Sequence, residues 1–212
     1  SVANPGFINL TLTNDYFSKI LKNLFNDERV GIKKVKPKKI VLDYSAPNVA
    51  KPLHVGHLRS TIIGESIKRL AVFMGDEVVG DIHLGDWGYP LGLTIAIILE
   101  KYDCSYYFNK TGEKPNITME DLNKLYPQAA AKAKENIEFK EKAHEVTAKL
   151  QKKEKGYYDI WKEIRAISVK AIKEIFKLLN IKGIDYWYGE SDADPFISKI
   201  FKIFNDKKLL VK

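Results

Sequence analysis

The sequence predicts an α/β fold, a parallel sheet with its crossover helices, interrupted by a helical insertion. Three observations predict it. Residues 40–83 read as strand, helix and strand, the length of one right-handed βαβ unit with parallel strands. A glycine-rich turn and a further apolar helix follow in "LGDWGYPLGLTIAIILEKY". From Asp103 the composition shifts to lysine- and glutamate-rich helical sequence, and a strand-like stretch, "IDYWYGES", returns only after Gly183.

Residues 1–30 pass from a short alternating strand, Phe7 to Leu12, into a helix-like stretch. They are too few for a domain and are expected to be a remnant or linker after a missing N-terminal domain. Residues 31–104 are expected to form the first part of the core. They open with a lysine-rich link, "GIKKVKPKK", whose five lysines fit a solvated connection, and continue into the apolar strand Ile40 to Tyr44. The loop "SAPNVAKPLHVG" carries two prolines, which forbid a regular helix. After it, Ile63, Ile67, Leu70 and Met74 recur at helical spacing as an amphipathic stripe, and Gly75 stands where that helix should stop. The strand Glu77 to His83 follows, then the apolar helix with Pro90 in its first turn.

Residues 105–182 are expected to be a helical insertion, nearly unbroken helix from 118 to 180 with a boundary at Pro127. Between Lys132 and Lys155 there are eight lysines and five acidic residues, a net +3, which reads as a solvated face or an RNA-facing one. Ile160, Ile164, Ile167, Ala171, Ile175 and Leu178 set the inward face of the last helix, which Gly183 is expected to end. Residues 183–212 are expected to return to the core. There, Asp194-Pro195 opens a short helix with Ile197, Ile200, Phe201 and Phe204 inward, and "KKLLVK" begins a strand. The core is expected to be cut off before completion.

The 212 residues carry 35 lysines and arginines against 27 aspartates and glutamates, a net +8 that favours an anionic partner such as nucleic acid or a nucleotide. A single cysteine, Cys104, excludes an internal disulfide framework and a cysteine-rich zinc site and suits a reducing cytoplasm. Neither a signal peptide nor an apolar run of the roughly 20 residues needed for a membrane helix is present, so the expectation is a soluble, cytoplasmic protein.

The chemistry concentrates in "APNVAKPLHVGHLRST". A loop leaving the carboxyl end of a parallel strand is where open α/β sheets bind ligands, and the helix after it points its positive end at that crevice. His54 and His57 stand there, able to donate hydrogen bonds to phosphate and ribose oxygens, and Gly56 between them lets a flat base approach the backbone. Metal ligation competes on residue type, but no spacing supplies a third ligand, and no metal site is expected. Purely structural histidines are the third reading.

The string "DYSAPNVAKPLHVGHLRSTIIGES" followed by "HLGDWGYPLG" resembles the catalytic core of arginyl-tRNA synthetase, a class I aminoacyl-tRNA synthetase. "HVGH" is similar to the HIGH signature of that class, while "APN", "LRSTIIG" and "GDWG" narrow the likeness to the arginine enzyme. "PGFINLTL" resembles the exit from the family's N-terminal tRNA-binding domain, and "IDYWYGES" is also similar. The resemblance implies the first half of a Rossmann-like nucleotide-binding fold. It also implies a two-step reaction in which arginine attacks the α-phosphorus of ATP (with Mg2+) and the arginyl group of the adenylate then passes to tRNA(Arg). By the same resemblance His54 steadies the ATP phosphates, His57 and Gly56 lie by the adenosine, and Lys51 takes the place of a downstream KMSKS lysine that several members lack. Asp43, Asn48 and, more weakly, Ser45 contact arginine, where a carboxylate can pair bidentately with guanidinium. His83, Gly85, Asp86, Trp87 and Gly88 form a second loop on the same sheet edge, either lining the site or, for Asp86 and Trp87, serving as a helix cap and core. Arg59 could pair with an acid on its own helix or touch ligand. The expected protein is a monomer and, lacking the KMSKS-like and anticodon-binding regions, a fragment inactive by itself.

Two other classes remain open on the sequence. An HxGH-type nucleotidylyltransferase uses a similar loop and would turn over ATP independently of arginine. A non-catalytic RNA-binding module would bind RNA in a salt-sensitive way that is indifferent to both histidines.

Overall fold

The computed structural model of the protein describes residues 1–210. A hairpin of β1 (Val2–Ala3) and β2 (Phe7–Ile8) leads to α1 (Asn14–Phe25), whose N-terminus is capped by the Thr13 hydroxyl accepting from the Tyr16 amide at 3.3 Å. The strand expected from Phe7 to Leu12 stops at Ile8, where its pairing with β1 runs out.

The sheet is parallel, with β3 (Lys39–Asp43), β4 (Glu77–Leu84) and β5 (Tyr186–Gly189) in the order β3-β4-β5. The crossover from β3 to β4 is α2 (Val55–Met74), and it ends at Gly75 as expected. Gly75 takes a φ of 109°, and its amide bonds back to the carbonyls of Ala71 and Val72.

The buried side of α2 is polar, contrary to its sequence pattern. Thr61, Gly64, Glu65 and Lys68 are buried, whereas Ile63, Ile67 and Leu70 are 49%, 49% and 63% exposed. Close approach and charge pairing explain the reversal. Gly64 lies against Tyr44, where an added Cβ would come within 2.3 Å of the ring. The Glu65 carboxylate accepts from the Tyr44 hydroxyl (2.9 Å), the amides of Gly183 (2.9 Å) and Lys182 (3.1 Å), and Arg69 Nε (2.8 Å). Burial pushes the pKa of this carboxyl up, but those hydrogen bonds outweigh it and hold Glu65 below the usual value. The Lys68 ammonium donates to the Gly183 carbonyl (2.6 Å) and pairs with Asp185. A partly buried ionic clasp therefore fastens α2 to the segment entering β5.

After β4 come α3 (Tyr89–Lys101), α4 (Ser105–Asn109), α5 (Met119–Glu135), α6 (Ile137–Gln151) and α7 (Tyr157–Leu178). α3 has Pro90 in its first turn, and its residues Leu91 to Ile98 are all buried. Its apolar side chains join Leu122, Leu125, Phe139, Val146, Leu150, Ile160 and Ile164, together with Ile82 and Leu84 of the sheet, in one core that crosses the 104/105 division drawn on the sequence. Pro127 does not bound a helix. It sits on the exposed side of α5 while Leu122, Leu125 and Ala129 remain buried, so packing outweighs the roughly 3 kcal/mol an interior proline costs. The actual break falls at Asn136, whose side chain accepts from the Phe139 amide at 2.9 Å and caps α6.

In α7 Ile160 and Ile164 are buried as expected, but from there the buried stripe runs through Ser168, Ile172 and Phe176, one residue offset from the expected Ile167, Ala171 and Ile175; Leu178 is 86% exposed. The helix ends well before Gly183, with Asn180 in the left-handed region at φ 57°. α8 (Glu190–Asp206) begins earlier than Asp194, because the Gly189 amide donates to the Asp192 carboxylate at 2.8 Å. Its Ile197, Ile200, Phe201 and Phe204, expected inward, are all exposed. The strand expected at 207–212 is absent over 207–210, and residues 211 and 212 lie outside the described residues.

One face of the sheet carries Leu42, Ile82, Leu84 and Trp187 toward the protein interior, while Val41, Asp43, His83, Tyr186 and Tyr188 lie exposed on the other.

Candidate active site

The site is built at the carboxyl ends of β3 and β4. Beyond β3 the chain turns through Tyr44 and Ser45, both buried, with Ser45 at φ 69° and its buried hydroxyl without a partner among the described residues. The turn meets the loop after β4 in an isolated parallel bridge between Asn48 and Gly85. The Val49 amide donates to the Gly85 carbonyl and the Gly85 amide to the Pro47 carbonyl, each at 3.0 Å. A Cβ on Gly85 would come within 2.4 Å of Asn48 Oδ1, so the glycine leaves the room that the Asn48 side chain occupies between the two motif loops.

His54 is the N-cap of α2, and its Nδ1 accepts from the Gly56 amide at 3.1 Å. His57 Nδ1 accepts in turn from the His54 amide at 3.3 Å, and the rings stack with centroids 3.8 Å apart and 25° between planes. An imidazole whose Nδ1 accepts must, when neutral, carry its proton on Nε2. Both rings therefore keep an Nε2–H donor beyond the first turn of α2, where the helix dipole already favours an anion. Partial burial, and then the neighbouring charges of His54 and Lys51, depress the pKa of His57. Gly56 serves this arrangement directly, since a Cβ there would sit 3.0 Å from His54 Cε1.

Lys51 lies with its ammonium 4.3 Å from the centre of the Tyr126 ring on α5. Asp43 is on the open sheet face, with its carboxylate 3.5 Å from His83 Nδ1. Directly across the strands from Asp43 stands Asp81, 3.9 Å from the same His83 nitrogen, with its Oδ1 buried and unpartnered among the described residues. This edge therefore offers acceptors to a cationic group, with the stacked Tyr186 and Tyr188 rings on the neighbouring strand.

Asp86 lies behind the loop rather than on the site's surface. It is fully buried and does not cap α3, whose N-cap is Gly88. Its carboxylate accepts from Arg165 Nε (2.7 Å) and from the amide and hydroxyl of Ser191 (2.9 Å each), and its carbonyl accepts from Trp161 Nε1 (2.6 Å). Trp87 packs edge-to-face on Trp161, centroids 5.4 Å apart. Arg59 is exposed on α2.

The structure thus brings together His54 with His57, Asp43 with His83, and Asn48 with Gly85, while Ser45 and Asp86 are internal. Sequence reasoning missed Asp81, although its two-residue spacing from His83 puts both on one strand face and could have flagged it. It also missed Tyr126, Trp161, Arg165 and Ser168, which approach the loops from sequence distances that no local pattern encodes.

The family model described as tRNA synthetases class I (R), catalytic domain, matches residues 19–212. An arginine–tRNA ligase of Agathobacter rectalis is 42% identical over 210 residues, covering 96% of this chain and 35% of the relative. One from Francisella tularensis subsp. novicida is 40% identical over 209 residues, covering 96% of the chain and 36% of the relative. The chain therefore spans little more than a third of these relatives. Among solved structures, the arginyl-tRNA synthetase of Plasmodium falciparum superposes with a TM-score of 0.68 at 30% identity, over 100% of this chain and 36% of that one. The Thermus thermophilus arginyl-tRNA synthetase, at 17% identity and TM-score 0.60 over 89% of this chain and 30% of that one, shows the shared fold.

Proposed function

Since the chain belongs to the family of class I tRNA synthetase (R) catalytic domains, we propose that it carries the nucleotide- and arginine-binding part of an arginine–tRNA ligase. Arginine's carboxylate attacks the α-phosphorus of Mg·ATP, pyrophosphate leaves, and a terminal ribose hydroxyl of tRNA(Arg) takes the arginyl group from the adenylate. Mg2+ enters as part of the nucleotide substrate; among the described residues no cluster of three or more His, Cys, Asp or Glu could hold it.

The observation that carries this reading is the stacked His54–His57 pair at the N-terminus of α2, with both Nδ1 atoms taken by backbone amides. Two fixed Nε2–H donors at a positive helix end suit the phosphate and ribose oxygens of ATP, and donors fixed in advance stabilise charge that grows in the transition state. Lys51 adds a positive charge for the leaving pyrophosphate. Asp43 and, from the following loop, Asn48 receive arginine, and Asp81 adds a second carboxylate for the guanidinium. The one cysteine is buried and free, which suits the reducing cytoplasm we assign to this protein as a monomer. No helix among the described residues is long and apolar enough to cross a membrane.

The test is arginine charging of tRNA with ATP, run on the 212-residue chain and on the complete product of its gene. Arginine-dependent charging by the complete product supports the reading. Turnover of ATP that ignores arginine and tRNA would replace it with another nucleotidyl transfer.

A further inference from the structure

The insertion helices contact the motif loop at two consecutive residues, Ala50 and Lys51. Ala50 is buried with a left-handed φ of 61°, a conformation that a non-glycine residue holds only when its surroundings impose it. Its amide donates to Ser168 Oγ at 3.0 Å, from a helix 118 residues further along the chain. Ser168 is fully buried, and its hydroxyl donates to the Ile164 carbonyl at 2.8 Å, so both its hydrogen-bonding roles are filled. The preceding amide, Val49, is fixed to Gly85. The next residue is Lys51, whose ammonium rests over Tyr126 of α5. The backbone that launches Lys51 and the charge at its tip are thus both held by the insertion, one by α7 and the other by α5.

We propose that Ser168 and Tyr126 are positioning residues that together aim Lys51 along the nucleotide loop, so that the insertion sets the direction of the site's flexible cation. This rests on the reading of Lys51 as a phosphate-facing group, given above. A lysine has a long stem and many rotamers, and a single cation–π contact at a partly exposed ring is weak. Fixing the backbone at Ala50 restricts where that stem begins, and the Tyr126 face restricts where it ends. The proximity of Lys51 to the histidines is consistent with this, because its charge contributes to the depressed pKa of His57.

The experiment is carbon–proton NMR of the lysine ε-methylenes in the 212-residue chain, with the Lys51 signal assigned by its loss in Lys51→Arg. The Tyr126 ring should move that signal upfield. The shift should survive Tyr126→Phe, vanish in Tyr126→Leu, and largely collapse in Ser168→Ala although Ser168 does not touch the lysine side chain. A cavity-forming Ile172→Ala in the same helix, which loosens packing but keeps the Ser168 hydroxyl on the Ala50 amide, should leave it in place. An unshifted signal in the parent chain, indifference to Tyr126→Leu or Ser168→Ala, or an equal collapse in Ile172→Ala would overturn the proposal. Should Ser168→Ala fail to fold, the parent signal and the Tyr126 pair decide it alone. None of these readings depends on turnover. Adding Mg·ATP then tests the other premise: an aimed Lys51 whose signal ignores the nucleotide removes the catalytic reading and leaves the aiming intact.

Discussion

His54 and His57 lie face to face, ring centroids 3.8 Å apart, each with its Nδ1 held by a backbone amide of the same helical start. Helix capping and ligand donation are thus carried by opposite nitrogens of the same rings. The two roles can be separated by substitution.

His54→Ala removes the cap and the donor together. It should lower stability by about 0.5–2 kcal/mol and slow adenylate formation on the order of 10²–10³-fold. His54→Asn restores a side chain that caps helices well without returning the Nε2–H donor. Thermal unfolding should recover while the rate does not, and recovery of both would remove His54 from the chemistry.

His57 gives a signed pH dependence. Its folded pKa lies below that of a free imidazole, so as pH falls the unfolded chain takes up this proton first. The stability associated with neutral His57 is full above the unfolded value and is lost as pH falls from there through the depressed folded value. Denaturation midpoints from pH 8 to 5 should therefore decline more steeply in the parent chain than in His57→Gln. Parallel declines would show that the ring titrates as it does in solvent.

Asp86 is a buried charge with four hydrogen bonds at its carboxylate and carbonyl, made to α7 and to the start of α8. Asp86→Ala leaves the Arg165 guanidinium, itself mostly buried, without its carboxylate. The cost should be about 3–5 kcal/mol, read from denaturant midpoints. A loss below about 1 kcal/mol would class the pair with exposed ion pairs.

Gly64→Ala tests the close approach of α2 to Tyr44. Alanine favours an isolated helix by about 0.8–1 kcal/mol over glycine, yet here its Cβ would meet the Tyr44 ring at 2.3 Å. Net destabilisation of about 1–3 kcal/mol is expected from overpacking. A rise in melting temperature would mean that the contact relaxes freely.

Much of the site was legible in the chain because it is local. A cap needs a side chain within a turn of its amide, so two histidines three residues apart at the start of α2 declare themselves in the sequence. The βαβ unit, Gly75 as its stop and Pro90 in the first turn of α3 are equally local. Asp81 was legible in principle, as the strand neighbour of His83 on the same face.

The sequence by itself determined the parallel sheet's crossover, the stop of α2 at Gly75, the start of α3 at Pro90, and the placing of two imidazoles at a positive helix end, because each depends on residues within a few positions of one another. Only the tertiary structure decided which side of α2 turns inward, since a glycine against Tyr44 and a satisfied Glu65–Lys68 clasp outweighed the apolar stripe that periodicity favoured. It also decided that Asp86 is internal, that the Ala50 amide meets Ser168, and that the Lys51 ammonium rests over Tyr126. Those contacts join residues some 75 to 118 positions apart, and packing in three dimensions is the only agent that brings them within hydrogen-bonding or ring-contact distance.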